Sequence, residues 1–132
     1  MNPLAKLQPP FADFMGIKIT HLSTERVEAE ILVREEVSNR NGIMHGGAIM
    51  ALADNIGATG AVANLPDGAS TATIESKTNF FASIPVGDTA RAESTPLHRG
   101  KTTMVWQTKV TRSDGRLAAI VTQTQLVLTR KA

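Results

Sequence analysis

The hydrophobic positions of this chain change period along its length, and the changes divide it into elements. From Gly16 to Arg34 apolar and polar residues alternate: Val27, Ala29, Ile31 and Val33 point one way, and Arg26, Glu28 and Glu30 the other. A period of two marks a half-buried strand. A polar loop, Ser38-Asn39-Arg40-Asn41-Gly42, breaks the alternation and leads into Gly46 to Ala63, the most apolar stretch of the chain. Asn64-Leu65-Pro66-Asp67-Gly68 closes that stretch with turn residues, so it reads as one long helix. Four more strand-like runs follow, Ser70–Ala82, Thr89–Leu97, Thr102–Arg112 and Leu117–Thr129. Pro85 and Gly87, Arg99-Gly100 and Asp114-Gly115 punctuate them, the last as a hairpin signal. In the third run Met104, Trp106, Thr108 and Val110 share a face. In the fourth, Ala118, Ile120, Thr122, Thr124, Leu126 and Leu128 do.

The expected order is therefore a strand, one long helix, then four consecutive antiparallel strands, an α+β fold. A helix apolar nearly all round cannot lie on a sheet with one side in water, so the sheet must curl around it. Small residues in the helix (Gly46, Gly47, Ala48, Ala51, Ala53, Gly57, Ala58, Gly60 and Ala61) let backbones approach closely. At 132 residues the chain is one domain with a substantial core, preceded by a Pro-rich lead over residues 1–15. Met1 to Gln8 has one lysine and no apolar core, which does not read as a signal peptide and points to a cytoplasmic location. Asp54 and Asn55 sit at the centre of the apolar helix, where a membrane span would carry a costly carboxylate.

Composition narrows the chemistry. The chain has no cysteine, which excludes disulfides, thiolate metal sites and a cysteine nucleophile. His21, His45 and His98 have neither HxH nor HxxxH spacing, so no zinc site is expected. A net charge of +2 is too small to suggest nucleic acid. Acidic residues outnumber basic ones in the first half and the reverse holds in the second. That bias suits an anionic small ligand, and a solvated sheet face explains it equally well.

Two features of the helix carry chemistry. Gly46 and Gly47 open it, so their N–H groups lie at the positive end of its dipole without side chains in the way, a place for an anion or a developing oxyanion. Asp54 lies in an otherwise apolar helix, where an unpaired carboxylate is expensive to desolvate. Acyl transfer needs both kinds of group, one to attack or activate water and one to hold the oxyanion. Eight residues of helix separate Gly46 from Asp54 by about 12 Å, too far for both to reach one carbonyl. If both act on one substrate, two copies of the chain must meet with their sites at the interface. Each feature alone also has a structural reading. The glycines could serve packing, Asp54 could be satisfied by an interface serine or arginine, His45 could hold a loop, and Asn39 could be a turn residue. No Ser-His-Asp, P-loop or GxGxxG pattern competes.

The combination Asn39…Gly42-x-x-His45-Gly46-Gly47 followed by Asp54 resembles the hotdog-fold acyl-CoA thioesterases of the phenylacetic-acid-degradation (PaaI) type. Thr73-Ile74-Glu75-Ser76-Lys77-Thr78-Asn79-Phe80 resembles that family's next strand, and Leu97 to Lys101 and Asp114 to Ala118 its later ones. The likeness runs from about Gly16 to Leu128. It implies a central helix wrapped by a curved antiparallel sheet of five to six strands. It also implies dimers with a continuous sheet, commonly paired into homotetramers, and hydrolysis of acyl-CoA thioesters without metal or organic cofactor. Carried over by position, Gly46 N–H would polarise the thioester carbonyl, with Gly47 beside it. Asp54 of the partner subunit would be nucleophile or general base, and Asn39 and His45 would position the carbonyl or the water. Thr73 falls where some members place a serine beside the attacking water. Some relatives carry Glu at the acid position, so Asp54 does not fix the acyl group. His98, Arg99 and Lys101 at a turn are the candidates for contacting CoA phosphates, though a solvated turn accounts for them too.

A non-catalytic acyl-CoA-binding hotdog protein, a sensor or regulator, is the alternative; it would need no acid at position 54 and usually an added domain. A hotdog dehydratase would need a dedicated acid/base pair in different surroundings.

Overall fold

The computed structural model describes residues 1–129. Two short helical segments come first, a 3-10 turn over Pro3–Lys6 and α1 over Pro10–Met15. They are followed by β1 (Lys18–Leu22), β2 (Val27–Leu32), the long helix α2 (Gly46–Ala63), β3 (Ser70–Phe80), β4 (Thr89–Arg99), β5 (Thr103–Thr111) and β6 (Leu117–Leu128). All six strands form one antiparallel sheet in the order β1-β2-β4-β5-β6-β3. α2 touches β2, β3, β4, β5 and β6. Five neighbouring strands about 4.8 Å apart span about 19 Å, wider than a helix about 10 Å across, so the sheet must wrap to reach it. This is the hotdog architecture that the resemblance implied.

Two expectations change. The alternating run Gly16–Arg34 is not one strand but two, folded back where Ser23 Oγ accepts the N–H groups of Glu25 and Arg26. A serine turn of this kind carries no Gly or Pro to announce it. The four strands after α2 are not consecutive neighbours either. β3 pairs with β6 at the far edge, and residues 81–88 cross beneath the start of α2 to reach β4. Buried Ile84 anchors this crossover, its carbonyl accepting the Met44 N–H at 2.7 Å, and Ile43 bridges Pro85. In the last run the alternation leaves open which side meets the helix. Its expected face does form, but the residues against α2 are Ala119, Val121, Gln123 and Gln125.

The main core lies between α2 and the sheet, built from Ile49, Leu52 and Ile56 against Val27, Ala29, Ile31, Ala90, Ala92 and Val110. A second cluster of Ala61, Leu65, Ala69, Met104 and Trp106 closes the far end of the helix. The lead segment packs on the helix flank that the sheet leaves open. Gln8 Oε1 accepts the Asn55 side-chain N–H at 2.8 Å, and Asn2 donates its backbone N–H to Ala63 at 3.1 Å. Arg34 donates to the carbonyls of Phe14 and Met15, satisfying the end of α1. Among the described residues no helix is long and apolar enough to cross a membrane.

Helix and sheet approach so closely at Gly60 that a Cβ there would lie 2.6 Å from the Trp106 ring. The indole is fully buried and has nowhere to move. Gly60→Ala should therefore lower stability by a net of about 1–2 kcal/mol, overpacking outweighing the better helix propensity of alanine. A lower urea midpoint at unchanged m-value would show this; a raised midpoint would mean that the contact is not tight.

Candidate active site

A helix start leaves four N–H groups without intrahelical partners. At α2 three of them are satisfied locally. Val37 O accepts the His45 N–H at 2.8 Å, His45 Nδ1 accepts the Gly47 N–H at 2.8 Å, and His45 O accepts that of Ala48 at 2.9 Å. Gly46 N–H is left with no partner among the described residues. Because Nδ1 of His45 accepts, the neutral ring carries its proton on Nε2 and presents a donor to the exposed side. Asn39 shapes the loop that leads in. Its Oδ1 accepts from the N–H groups of Asn41 and Ile43 at 2.9 and 3.4 Å, which leaves its side-chain N–H₂ as a donor. The His45 N–H is pinned to Val37 O at 2.8 Å, fixing the ring at the helix mouth. The Phe80 ring covers Gly46, its edge 3.3 Å from where a Cβ would stand.

Two turns further along α2, Asp54 is held from one side only. Thr73 Oγ1 donates to Asp54 Oδ1 at 2.7 Å, and Gln123 Nε2 donates to the same oxygen at 3.2 Å. No described residue occupies Oδ2. Gln123 reaches Asp54 because Gly57 leaves a notch: a Cβ at Gly57 would fall 2.2 Å from Gln123 Oε1. Gln125, paired across the strands with Thr73, donates to its hydroxyl at 2.6 Å.

One chain thus holds two half-sites, a free N–H at Gly46 and a free carboxylate oxygen at Asp54, about 12 Å apart along a rigid helix. β3 touches both. Thr73 near its start meets Asp54, and Phe80 at its end covers Gly46. Residues seven apart on a regular strand face opposite ways. A bulge at Ile74, between Thr73 and Glu75, turns the strand so that Thr73 and Phe80 both face α2.

The turn with His98, Arg99 and Lys101 lies elsewhere, beside the end of α2. Arg99 forms a two-pronged ion pair with Glu25, at 2.8 and 3.1 Å, and reaches Asn64 Oδ1 at 3.3 Å. Its guanidinium holds the Glu25 carboxyl below the usual carboxylate range. Asn64 is ten residues past Asp54, about 15 Å along the helix, so one chain does not bring this turn to either half-site. Lys101 is exposed and makes no ion pair among the described residues.

Sequence reasoning missed Gln123 and Gln125. Their signal was present: two amides spaced by two, in phase with Val121, on a strand whose other phase is richer in apolar residues. A polar pair in the sparser phase is easily taken for the solvent side, yet both are fully buried.

A family model described as the thioesterase superfamily matches residues 41–119. A 1,4-dihydroxy-2-naphthoyl-CoA hydrolase of Listeria monocytogenes is 31% identical over 107 residues, 80% of this chain and 85% of that protein. The Escherichia coli protein of the same name is 28% identical over 115 residues, 87% of this chain and 84% of that one. Among solved structures, S. sahachiroi AziG superposes with a TM-score of 0.89 at 26% identity, covering 94% of this chain and 100% of that one. Streptococcus mutans smu.793 bound to acetyl CoA gives a TM-score of 0.82 at 26% identity, covering 90% and 94%. With the match running from the loop before α2 through to β6, this chain belongs to the thioesterase superfamily.

Proposed function

We propose that this protein hydrolyses acyl-CoA thioesters at two sites, each shared between two copies of the chain. The observation that carries this reading is the pair of half-sites. Among the described residues the Gly46 N–H and Asp54 Oδ2 have no partner, and they lie too far apart in one chain to serve one carbonyl. Acyl-CoA is the substrate class supported by the naphthoyl-CoA hydrolases at 28–31% identity and by the acetyl-CoA complex of smu.793.

The edge strand supports the pairing. β3 is long, and no described strand covers its outer side, where Ile74 is exposed, so it is a template for a second chain. Antiparallel pairing of two β3 strands about an axis at Lys77, with Ile74 bulged out of register, sets Thr73 of one against Phe80 of the other. Asp54 then comes beside the partner's Gly46, and the two sheets become continuous. Two such dimers back to back would make the tetramer that the resemblance implied.

In this arrangement Gly46 N–H holds the thioester oxygen, assisted by the Nε2–H of His45 and the side-chain N–H₂ of Asn39, while Gly47 keeps the approach open. Asp54 Oδ2 takes a proton from water as the water oxygen bonds to the acyl carbon. The tetrahedral oxyanion collapses and the carbon–sulfur bond breaks. The proton on Asp54 passes to the leaving sulfur, giving the free acid and the CoA thiol. Thr73 favours water over direct attack by the carboxylate. It donates a hydrogen bond to Asp54 and accepts one from Gln125, so its remaining lone pair can accept a hydrogen bond from water. The groove over Gly46, walled by Ile43, Ile49, Phe80 and Phe81, suits an apolar acyl or aryl group. His98 and Lys101, with the free edge of the Arg99 guanidinium, are placed at a surface turn where CoA phosphates can be met without burying charge.

Asp54→Asn keeps the size of the side chain and removes the base, so kcat for acyl-CoA hydrolysis should fall by about 10²–10⁴ with little change in KM. Thiol release by the purified variant measures this, and retention of most of the wild-type kcat removes Asp54 from the mechanism. The paired substitution His98→Ala with Lys101→Ala should raise KM for acyl-CoA and leave an acyl-pantetheine substrate, which lacks the nucleotide phosphates, nearly untouched. Equal effects on both substrates would place the phosphates elsewhere.

A further inference from the structure

We infer that Gln125 is a positioning residue for hydrolysis, acting through Thr73 to dictate where the attacking water places its protons. The inference rests on the reading of Asp54 as the base and adds a residue that the resemblance did not carry.

The observation is a one-way chain of hydrogen bonds. Thr71 Oγ1 lies 3.0 Å from Gln125 Oε1, Gln125 Nε2 lies 2.6 Å from Thr73 Oγ1, and Thr73 Oγ1 lies 2.7 Å from Asp54 Oδ1. An ionised carboxylate only accepts, so Thr73 must donate to it. The Thr73 oxygen can then only accept from Gln125, which turns the amide N–H₂ towards it. Gln125 Oε1 in turn faces Thr71, which donates to it or to Leu126 O at 2.9 Å. Every donor direction follows from the charge at one end. Gln125 is fully buried, and its β6 position opposite Thr73 leaves it no solvent alternative.

The consequence is chemical. A Thr73 hydroxyl free to rotate could donate to the water and tie up the lone pair needed for attack. With its hydrogen held on Asp54 and one lone pair held by Gln125, its oxygen can only accept from that water. The water then donates a hydrogen bond to Thr73 through the proton it keeps, loses the other proton to Asp54 Oδ2, and turns a lone pair to the acyl carbon. Gln123 completes the setting by donating to Asp54 Oδ1, so that Oδ2 is the oxygen left to act.

The test is a double-mutant cycle in the full-length protein with thiol release as the readout. Gln125→Met keeps the length and removes both hydrogen bonds; it should lower kcat about tenfold, the scale of one hydrogen bond beside a reacting group, at unchanged KM. Thr73→Val should lower kcat at least as much. Adding Gln125→Met to Thr73→Val should then lower kcat no further, because Gln125 acts only through the hydroxyl already lost. A packing defect would persist in both backgrounds. Gln125→Glu should fail to rescue, since a carboxylate at 125 would draw the Thr73 proton away from Asp54. If Gln125→Met does not fold, Thr71→Val releases the same amide from its other end. It should give a smaller loss of kcat that likewise vanishes in the Thr73→Val background. Wild-type kcat in Gln125→Met, or a full multiplicative loss in the double variant, overturns the inference. Asp54→Asn assayed alongside separates the two readings. An inactive Asp54→Asn with no coupling removes only the role of Gln125, whereas an active Asp54→Asn removes the base and this inference together.

Discussion

A helix rises about 1.5 Å per residue and does not bend over eight residues without a break, so the spacing between Gly46 and Asp54 is fixed by geometry alone. α2 has no proline, and its four glycines lie against Phe80, His45, Gln123 and Trp106. The chain therefore carries a helix-start N–H and a carboxylate that cannot meet within it. Much of the rest of the structure keeps these two half-sites rigid and places both along one edge of the sheet. The crossover through Ile84 fixes the loop before the helix, and β3 runs past both groups.

Close packing does the fixing. At Gly57 and Gly60 the helix has no side chain, and the sheet fills the space with Gln123 and Trp106. Large rigid groups from β5 and β6 seated in helix notches leave α2 little freedom to slide or turn. Asp54, one turn before Gly57, takes its orientation from the same contact, since Gln123 lies in the Gly57 notch and donates to the Asp54 carboxylate. Stability and the setting of the candidate acid thus share an interface, and the many glycines in an otherwise good helix follow from that sharing.

Much of this was legible in the sequence. Gly46 to Ala63 stood out because small and apolar residues run unbroken between a polar loop and a proline turn, and the helix has those bounds. The last four strands were readable from alternation and turn residues, within two residues at each end. His45-Gly46-Gly47 and Asp54 stood out because each is chemically odd for its setting. Three things were not readable. The split of β1 from β2 rests on a serine turn without glycine or proline. The bulge at Ile74 leaves no mark in composition, although it alone lets Thr73 and Phe80 face the same helix. The partner of β3 is decided by which edge the sheet leaves open, a long-range outcome that local pattern does not encode. Gln123 and Gln125 were hidden for a related reason: which phase of β6 faces inward depends on the helix it meets.

The central claim is that each site takes its helix N-terminus from one subunit and its acid from another, and mixed oligomers test it most directly. Gly46→Pro removes the free N–H at a position where proline suits a helix start, and His45 at φ −62° and ψ 136° already has the backbone required before proline. Asp54→Ala removes the acid. Each variant alone should be nearly inactive once its fold and oligomeric state match the wild type. After verified subunit exchange at equal amounts, half the dimers are mixed and one of their two sites is intact, so about a quarter of wild-type activity should return. Exchange without recovery would contradict the shared site and return Gly46 and Asp54 to separate roles within one chain.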